Sequence, residues 1–189
     1  MTDLERKALL PAGLRDILPP EAAFEAEICE TLAAGFGSHG YDRVKPPLVE
    51  FEDSLMSGAG AAVSAATFRL MDPVSQRMMG VRADMTTQVA RIALTRLTDM
   101  PRPLRLSYTG EVLRIRGTQL RPERQFAQVG AELIGAESAE ADIEIIAIAV
   151  ASLHDIGVPH LSVDLTFPPL VPALMEAMSL GDDEYRALR

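Results

Sequence analysis

The run from Leu104 to Gly135, LRLSYTGEVLRIRGTQLRPERQFAQVGAELIG, constrains the fold more than any other stretch of the chain. Pro101 and Pro103 break whatever precedes it. Residues 104–109, 111–116 and 124–134 then read as strands. Side chains alternate between faces along a strand, so Phe126, Gln128, Gly130 and Glu132 share one face. Val112, Arg114 and Arg116 share a face of the strand before it. A turn centred on residues 117–123 sets Arg114 opposite Phe126 and diagonal to Gln128. One side of the sheet then displays Arg114, Gln128 and Glu132, and Gly130 leaves room above the backbone. A guanidinium forks onto a carboxylate. A carboxylate accepts from an ammonium or imidazole N–H, and an amide can donate or accept. Such a surface can cradle a small zwitterion. A solvent-facing sheet side with cross-strand charge pairs would use the same residues.

Around this run the elements follow from periodicity. Leu10 to Pro20 reads as an extended arm. Phe24, Ile28, Leu32 and Phe36 make one apolar stripe on a helix over residues 21–38, ended by Gly37 and Gly40. Residues 41–44 read as a short strand that lies at a sheet edge or outside a sheet, because Pro46 and Pro47 cannot donate to a ladder. Residues 57–66, nearly all Gly, Ala and Ser, read as a loop. Residues 67–71 and 77–82 flank Asp72-Pro73 as a hairpin, whose Met71, Met78 and Met79 are expected to fill core gaps. A helix over 86–97 turns Val89, Ala93 and Leu97 to one side. Ser138 is a suitable N-cap for a further helix with Glu140 in its first turn. That helix is expected to bury Ile143, Ile146, Ala147, Val150 and Leu153, and to end at Gly157 and Pro159. Leu161, Val163, Leu165 and Phe167 alternate as a strand, and 170–189 reads as two short helical pieces. This order lacks the βαβα alternation of a doubly wound sheet. It predicts an α+β domain with a mainly antiparallel sheet flanked by helices: an arm over 1–20, a core over 21–167 and a helical tail over 168–189.

Charge narrows the function. The net charge of −9 disfavours general coating of nucleic acid. Yet residues 102–124 hold six Arg (102, 105, 114, 116, 121, 124) against Glu111 and Glu123, a local +4. A basic strip on an acidic chain can meet a carboxylate, a phosphate or an acidic partner, or be no more than the solvated edge of a strand pair. The single Cys29 cannot form an internal disulfide, and no Cys/His spacing indicates zinc or another metal. His39, His154 and His160 are scattered, and His154 is placed to interact with a helix C-terminus. No apolar run is long enough for a membrane span, and MTDLERKALL lacks a signal-peptide core, so a cytoplasmic protein is expected. No nucleotide-binding glycine motif is present, and no cofactor is expected.

Several segments, in order, resemble class II aminoacyl-tRNA synthetases of the histidyl type. RQFAQVGAELIG is similar to their second signature motif. Gly13-Leu14-Arg15-Asp16-Ile17-Leu18-Pro19 resembles their N-terminal arm. Gly40-Tyr41 through Pro47-Leu48-Val49-Glu50 resembles the first motif, which in that family builds a dimer interface. Arg82-Ala83-Asp84-Met85-Thr86 resembles the loop whose acid holds the amino group of histidine. The resemblance implies a class II fold, a homodimer through residues 41–51, and a histidine pocket of Asp84, Arg114, Gln128 and Glu132. The third motif of the class is absent from these residues.

Departures from the synthetase pattern redirect the expected activity. Where synthetases carry Arg-x-Glu, whose Glu accepts from adenine, this chain has Arg114-Ile115-Arg116. Arginine has no acceptor. The chain therefore looks closer to the synthetase-like regulatory subunits of short-form ATP phosphoribosyltransferase, the first enzyme of histidine biosynthesis, and resembles their N-terminal part. That implies no catalytic residue, a short catalytic subunit as partner, histidine as effector, and no role for tRNA. The front part of a true histidyl-tRNA synthetase, or a dimerising scaffold without a live pocket, are the alternatives. Lacking third-motif strands, such a piece is expected to expose a sheet edge and to dimerise or show limited solubility.

Overall fold

The computed structural model describes residues 8–56, 64–166 and 170–178. The chain divides into two compact units, Met1–Val158 and Pro159–Arg189. In the first, the elements run α1 (Glu21–Ser38), β1 (Asp42–Arg43), β2 (Val49–Phe51), α2 (Glu52–Leu55), β3 (Phe68–Met71), β4 (Met78–Val81), α3 (Thr86–Thr95), β5 (Leu104–Leu113), β6 (Gln125–Ile134) and α4 (Ala139–Asp155). In the second unit, residues 161–166 have no regular structure, and α5 spans Leu170–Ala177.

Two three-stranded sheets form, ordered β1-β5-β6 and β2-β4-β3. All pairings are antiparallel except β1 with β5, so the mainly antiparallel α+β expectation holds. The predicted edge strand is there as β1, two residues long before the prolines intervene. The strand β2 and the short helix α2 were not anticipated. Residues 57–63 of the expected loop lie outside the described residues, and 64–66 form a 3-10 turn.

Rather than two strands parted at Gly110, β5 is one strand of ten residues. Gly110 is tolerated because Arg82 crosses above it: a Cβ there would lie 2.4 Å from the Arg82 Nη2. The buried Arg82 donates from Nε to the Glu111 carbonyl (2.7 Å) and from Nη1 to the Pro46 carbonyl (3.0 Å). Burial lowers its pKa from the usual arginine value. It thereby ties the 46–48 turn to the middle of β5.

Leu104, Leu106, Tyr108 and Val112 on one face of β5 pack with Met85, Val89 and Ala93, all buried. On the opposite face Phe36, Tyr41 and Ile148 form a second core with Val129, Ala131 and Ile145. The α1 stripe is correct at Phe36, which is buried, but Phe24 is 64% exposed. Gly40 (φ 81°) ends α1 in the left-handed region, with Tyr41 N–H returning to the Phe36 carbonyl at 3.1 Å.

The phase of α4 differs from expectation. Ile148 and Ser152 are buried and Ile145 packs on the core, whereas Ile143 is 63% exposed and Ala147 and Leu153 are also exposed. Glu144 decides the phase. It pairs with Arg105 through two bonds of 2.7 Å and accepts from the Tyr41 hydroxyl at 2.9 Å, which turns its side of the helix to the sheet. These partners, Arg105 foremost, hold the Glu144 carboxyl down at about 2.

Other expectations also fail locally. The strand read over 161–167 is not formed at 161–166, where Val163 and Leu165 are exposed, and Phe167 lies outside the described residues. Met71 and Met78 are exposed, because the β3–β4 hairpin turns one face outward. Its turn is closed by Asp72, which accepts from Val74 N–H, Ser75 N–H and the Ser75 hydroxyl.

The arm is held at the far end of β6. Arg124 N–H donates to the Gly13 carbonyl (2.8 Å), and its Nη1 to the Ala12 carbonyl (2.9 Å). Gly13 (φ 78°) leaves no room for a Cβ, which would sit 2.7 Å from Arg124 Cδ. In the first-motif segment, Glu50 accepts from Arg91 Nε (2.9 Å), Gln88 Nε2 (2.9 Å) and Ser54 Oγ (3.2 Å), so β2 is pinned to α3.

Candidate functional site

The four predicted site residues converge on the 82–86 loop between β4 and α3. The β5–β6 register pairs Val112 with Phe126, Gly110 with Gln128, Tyr108 with Gly130 and Leu106 with Glu132. Arg114 lies two residues past the register expected. A slip of two keeps every side chain on its face, whereas a slip of one would have reversed them all. Gln128 and Glu132 thus share the face covered by the loop and α3.

Asp84 shapes the loop. Its Oδ1 accepts Thr86 N–H at 2.8 Å, a side-chain turn that opens α3, and its Oδ2 accepts from Gln128 Nε2 at 3.0 Å. Gln128 Oε1 accepts Met85 N–H at 3.0 Å, so this one amide grips the loop twice. Arg114 follows the end of β5. Its N–H donates to the Arg124 carbonyl (2.7 Å) and its Nε to the Ala83 carbonyl (3.2 Å), while its guanidinium carbon stands 5.1 Å from the Phe126 ring centroid. Arg121 lies over the same ring at 4.6 Å.

Glu132 reaches the loop through a residue that sequence reasoning missed. The Tyr108 hydroxyl donates to Glu132 Oε1 (3.2 Å) and meets the Thr86 hydroxyl at 3.1 Å. Tyr108 is 4% exposed, and burial pushes its phenol up to about 12. The space expected above Gly130 is taken by this ring: a Cβ on Gly130 would lie 2.4 Å from Tyr108 Cζ and Oη. The register had a signal for it, since the aromatic one strand over from a glycine fills the gap that the glycine leaves.

Arg116 does not extend the strand face. The ladder of β5 ends at Leu113 and residues 115–116 bend away, leaving Arg116 exposed. The local basic strip is also broken up. Arg102 donates to the Ala93 carbonyl, Arg105 pairs with Glu144, and Arg124 clips the arm.

What the arrangement offers is two carboxylates, an amide and a guanidinium around one loop. The sequence profile of the histidyl-tRNA synthetase family matches residues 13–189. The chain belongs to that family.

Among its relatives, the ATP phosphoribosyltransferase regulatory subunit of Paramagnetospirillum magneticum is 59% identical over 189 residues, all of this chain and 50% of that protein. A solved ATP phosphoribosyltransferase regulatory subunit/histidyl-tRNA synthetase from Bacillus halodurans superposes with a TM-score of 0.69 at 32% identity, covering 81% of this chain and 39% of that one. A histidine–tRNA ligase subunit of Alicyclobacillus acidocaldarius gives a TM-score of 0.74 at 27% identity, covering 95% and 51%. The chain spans about half the length of the relatives it matches. The class II fold expected of a histidyl-tRNA synthetase family member is thereby established. Among the described residues no helix is long and apolar enough to cross a membrane.

Proposed function

We propose that the chain serves as a non-catalytic regulatory subunit of ATP phosphoribosyltransferase, in the first step of histidine biosynthesis, and takes part in activation and in feedback by histidine. The observation that carries this reading is the 59% identity, over the whole chain, to a relative bearing that name. The residue chemistry supports it. Position 116 is an exposed arginine outside the strand, where a synthetase needs an acceptor for adenine.

In this proposal Asp84, Arg114, Gln128 and Glu132 hold histidine. Asp84 and Glu132 accept its N–H groups. Arg114 commits only Nε among the described residues, to the Ala83 carbonyl, and keeps its terminal nitrogens for the ligand carboxylate. The partner is a short-form catalytic subunit in the cytoplasm, and a homodimer forms through residues 41–51. Regulation is linkage: histidine favours one arrangement of the complex by a coupling of about 1–3 kcal/mol.

The test is to co-purify the chain with the short-form catalytic subunit and to measure transferase rate with and without the chain and histidine. A complex whose rate depends on both is expected. No complex, or a rate indifferent to the chain, overturns the proposal. The likeness to a histidine–tRNA ligase subunit favours one rival, a piece of a working synthetase. Exchange of pyrophosphate into ATP in the presence of histidine would establish that rival instead.

A further inference from the structure

We infer that Tyr108 is a positioning residue that makes the site selective for a ligand carrying an N–H donor opposite Glu132, and the inference rests on the histidine reading of that site. Its hydroxyl stands between Thr86 (3.1 Å) and Glu132 Oε1 (3.2 Å). A phenol has one proton. Given to Glu132, it leaves the Tyr108 oxygen as the acceptor for the Thr86 hydroxyl. The direction of the chain is therefore fixed: Thr86 donates to Tyr108, and Tyr108 donates to the carboxylate.

This chain links two elements. Thr86 opens α3 two residues beyond Asp84, and Glu132 lies on β6. Gln128 joins the loop to β6 by its own pair of bonds. Tyr108 thus adds the second bridge, and it is the rigid one. Its ring is buried among Met85, Val89 and Leu106 and lies across Gly130 with no space to shift toward it. A glutamate on its own samples several rotamers, and ordering such a side chain costs up to about 1.5–2 kcal/mol. A fixed phenol that occupies Oε1 sets the carboxylate in one pose before ligand arrives.

Selectivity follows from acceptor chemistry. The Glu132 carboxylate offers only acceptors, and the Tyr108 hydroxyl bonded to Oε1 fixes the direction in which its remaining acceptor positions face the ligand. A ring N–H satisfies them. A ring of the same size without N–H leaves a desolvated carboxylate unpaired, which is the costly case. If the phenol hydroxyl is removed, Glu132 can turn to water when such a ring is present, and discrimination falls.

The experiment is calorimetric titration of this chain, as wild type and as Tyr108→Phe, with histidine and with thienylalanine, whose ring has no N–H. Phenylalanine keeps the ring over Gly130, so the fold is retained, and thermal unfolding of each variant checks this. Wild type is expected to prefer histidine. Tyr108→Phe is expected to bind histidine about ten-fold more weakly, as for one lost hydrogen bond to a charged group, and thienylalanine no more weakly than wild type does. Thr86→Val should weaken histidine less, by about three-fold, and Thr86→Ser should restore it. Equal losses for both ligands would mean a merely structural ring and overturn the inference, as would unchanged histidine affinity in Tyr108→Phe. Wild type that ignores histidine sinks the site reading itself, and the inference with it.

Discussion

Gly130→Ala tests whether the β5–β6 face is built as described. The new methyl would stand 2.4 Å from Tyr108 Cζ and Oη and 2.9 Å from Cε2, where carbon atoms in contact need about 3.5–4.0 Å. The ring must therefore move by about 1 Å. It is 4% exposed and belongs to the same core cluster as Met85, Val89 and Leu106, so the movement strains a packed core. Overpacking of this kind costs roughly 1–3 kcal/mol. The shift also disturbs the two hydroxyl contacts, each worth about 1 kcal/mol net. Against this, alanine restricts the unfolded chain and returns about 0.4–1 kcal/mol. The balance is a destabilisation of about 2–3 kcal/mol. For a chain of this size that lowers the thermal midpoint by roughly 5–10 °C. The decisive assay is a double-mutant cycle by urea unfolding with Tyr108→Ala, which alone should cost about 3–5 kcal/mol. With the ring gone the methyl has nothing to strike, so the double variant should be no less stable than Tyr108→Ala. That is a coupling of about 2–3 kcal/mol. Additive losses, or a Gly130→Ala protein as stable as wild type, would refute the steric argument.

Further outcomes follow from the same contacts. Tyr41 and Tyr108 both have phenols raised to about 12 by burial, above the ordinary value of 10.0. Their protonated forms are thus favoured in the fold. The stability they confer is complete below pH 10 and is lost as pH rises toward 12, so tyrosinate absorbance should appear together with unfolding in that window. Glu144 is held at about 2, chiefly by Arg105, against an ordinary 4.5. Its contribution is present above pH 4.5 and disappears as pH falls through 2. Glu144→Gln should therefore be less stable at neutral pH and show a flatter acid limb in pH-dependent thermal unfolding. Gln128→Ala strands the Met85 N–H and frees Asp84, at a cost of about 1–3 kcal/mol. Amide hydrogen exchange should show the 83–86 backbone opening before β5 does.

The parts of this fold legible in the sequence are those fixed by local patterns. The bounds of α1 followed from its spacing and Gly40, and the face shared by Gln128 and Glu132 followed from strand alternation. What remained hidden depended on distant partners. The phase of α4 is set by Glu144 meeting Arg105 and Tyr41 from other elements, a tertiary preference that leaves Ile143, Ala147 and Leu153 exposed despite their apolar spacing. The continuity of β5 through Gly110 needs a buried arginine from another segment to fill the gap, and nothing near Gly110 in the chain announces it. The same holds for the candidate site. Asp84 and Arg114 were recognisable from motif order, yet their common partner, the 82–86 backbone, appears only once the loop has folded over the sheet. Tyr108 went unnoticed because its importance lies in the one residue it crosses.

The clip at Arg124 gives the start of the chain a hold on Arg114. Arg124 takes the Ala12 and Gly13 carbonyls with one hand and exchanges backbone and side-chain bonds with Arg114 with the other (2.7 Å and 3.2 Å). Joining residues so far apart in sequence is entropically costly and comes late in assembly. Tension on residues 12–13, from a fused tag or a bound neighbour, would therefore reach the backbone of Arg114 through one intervening residue, Arg124.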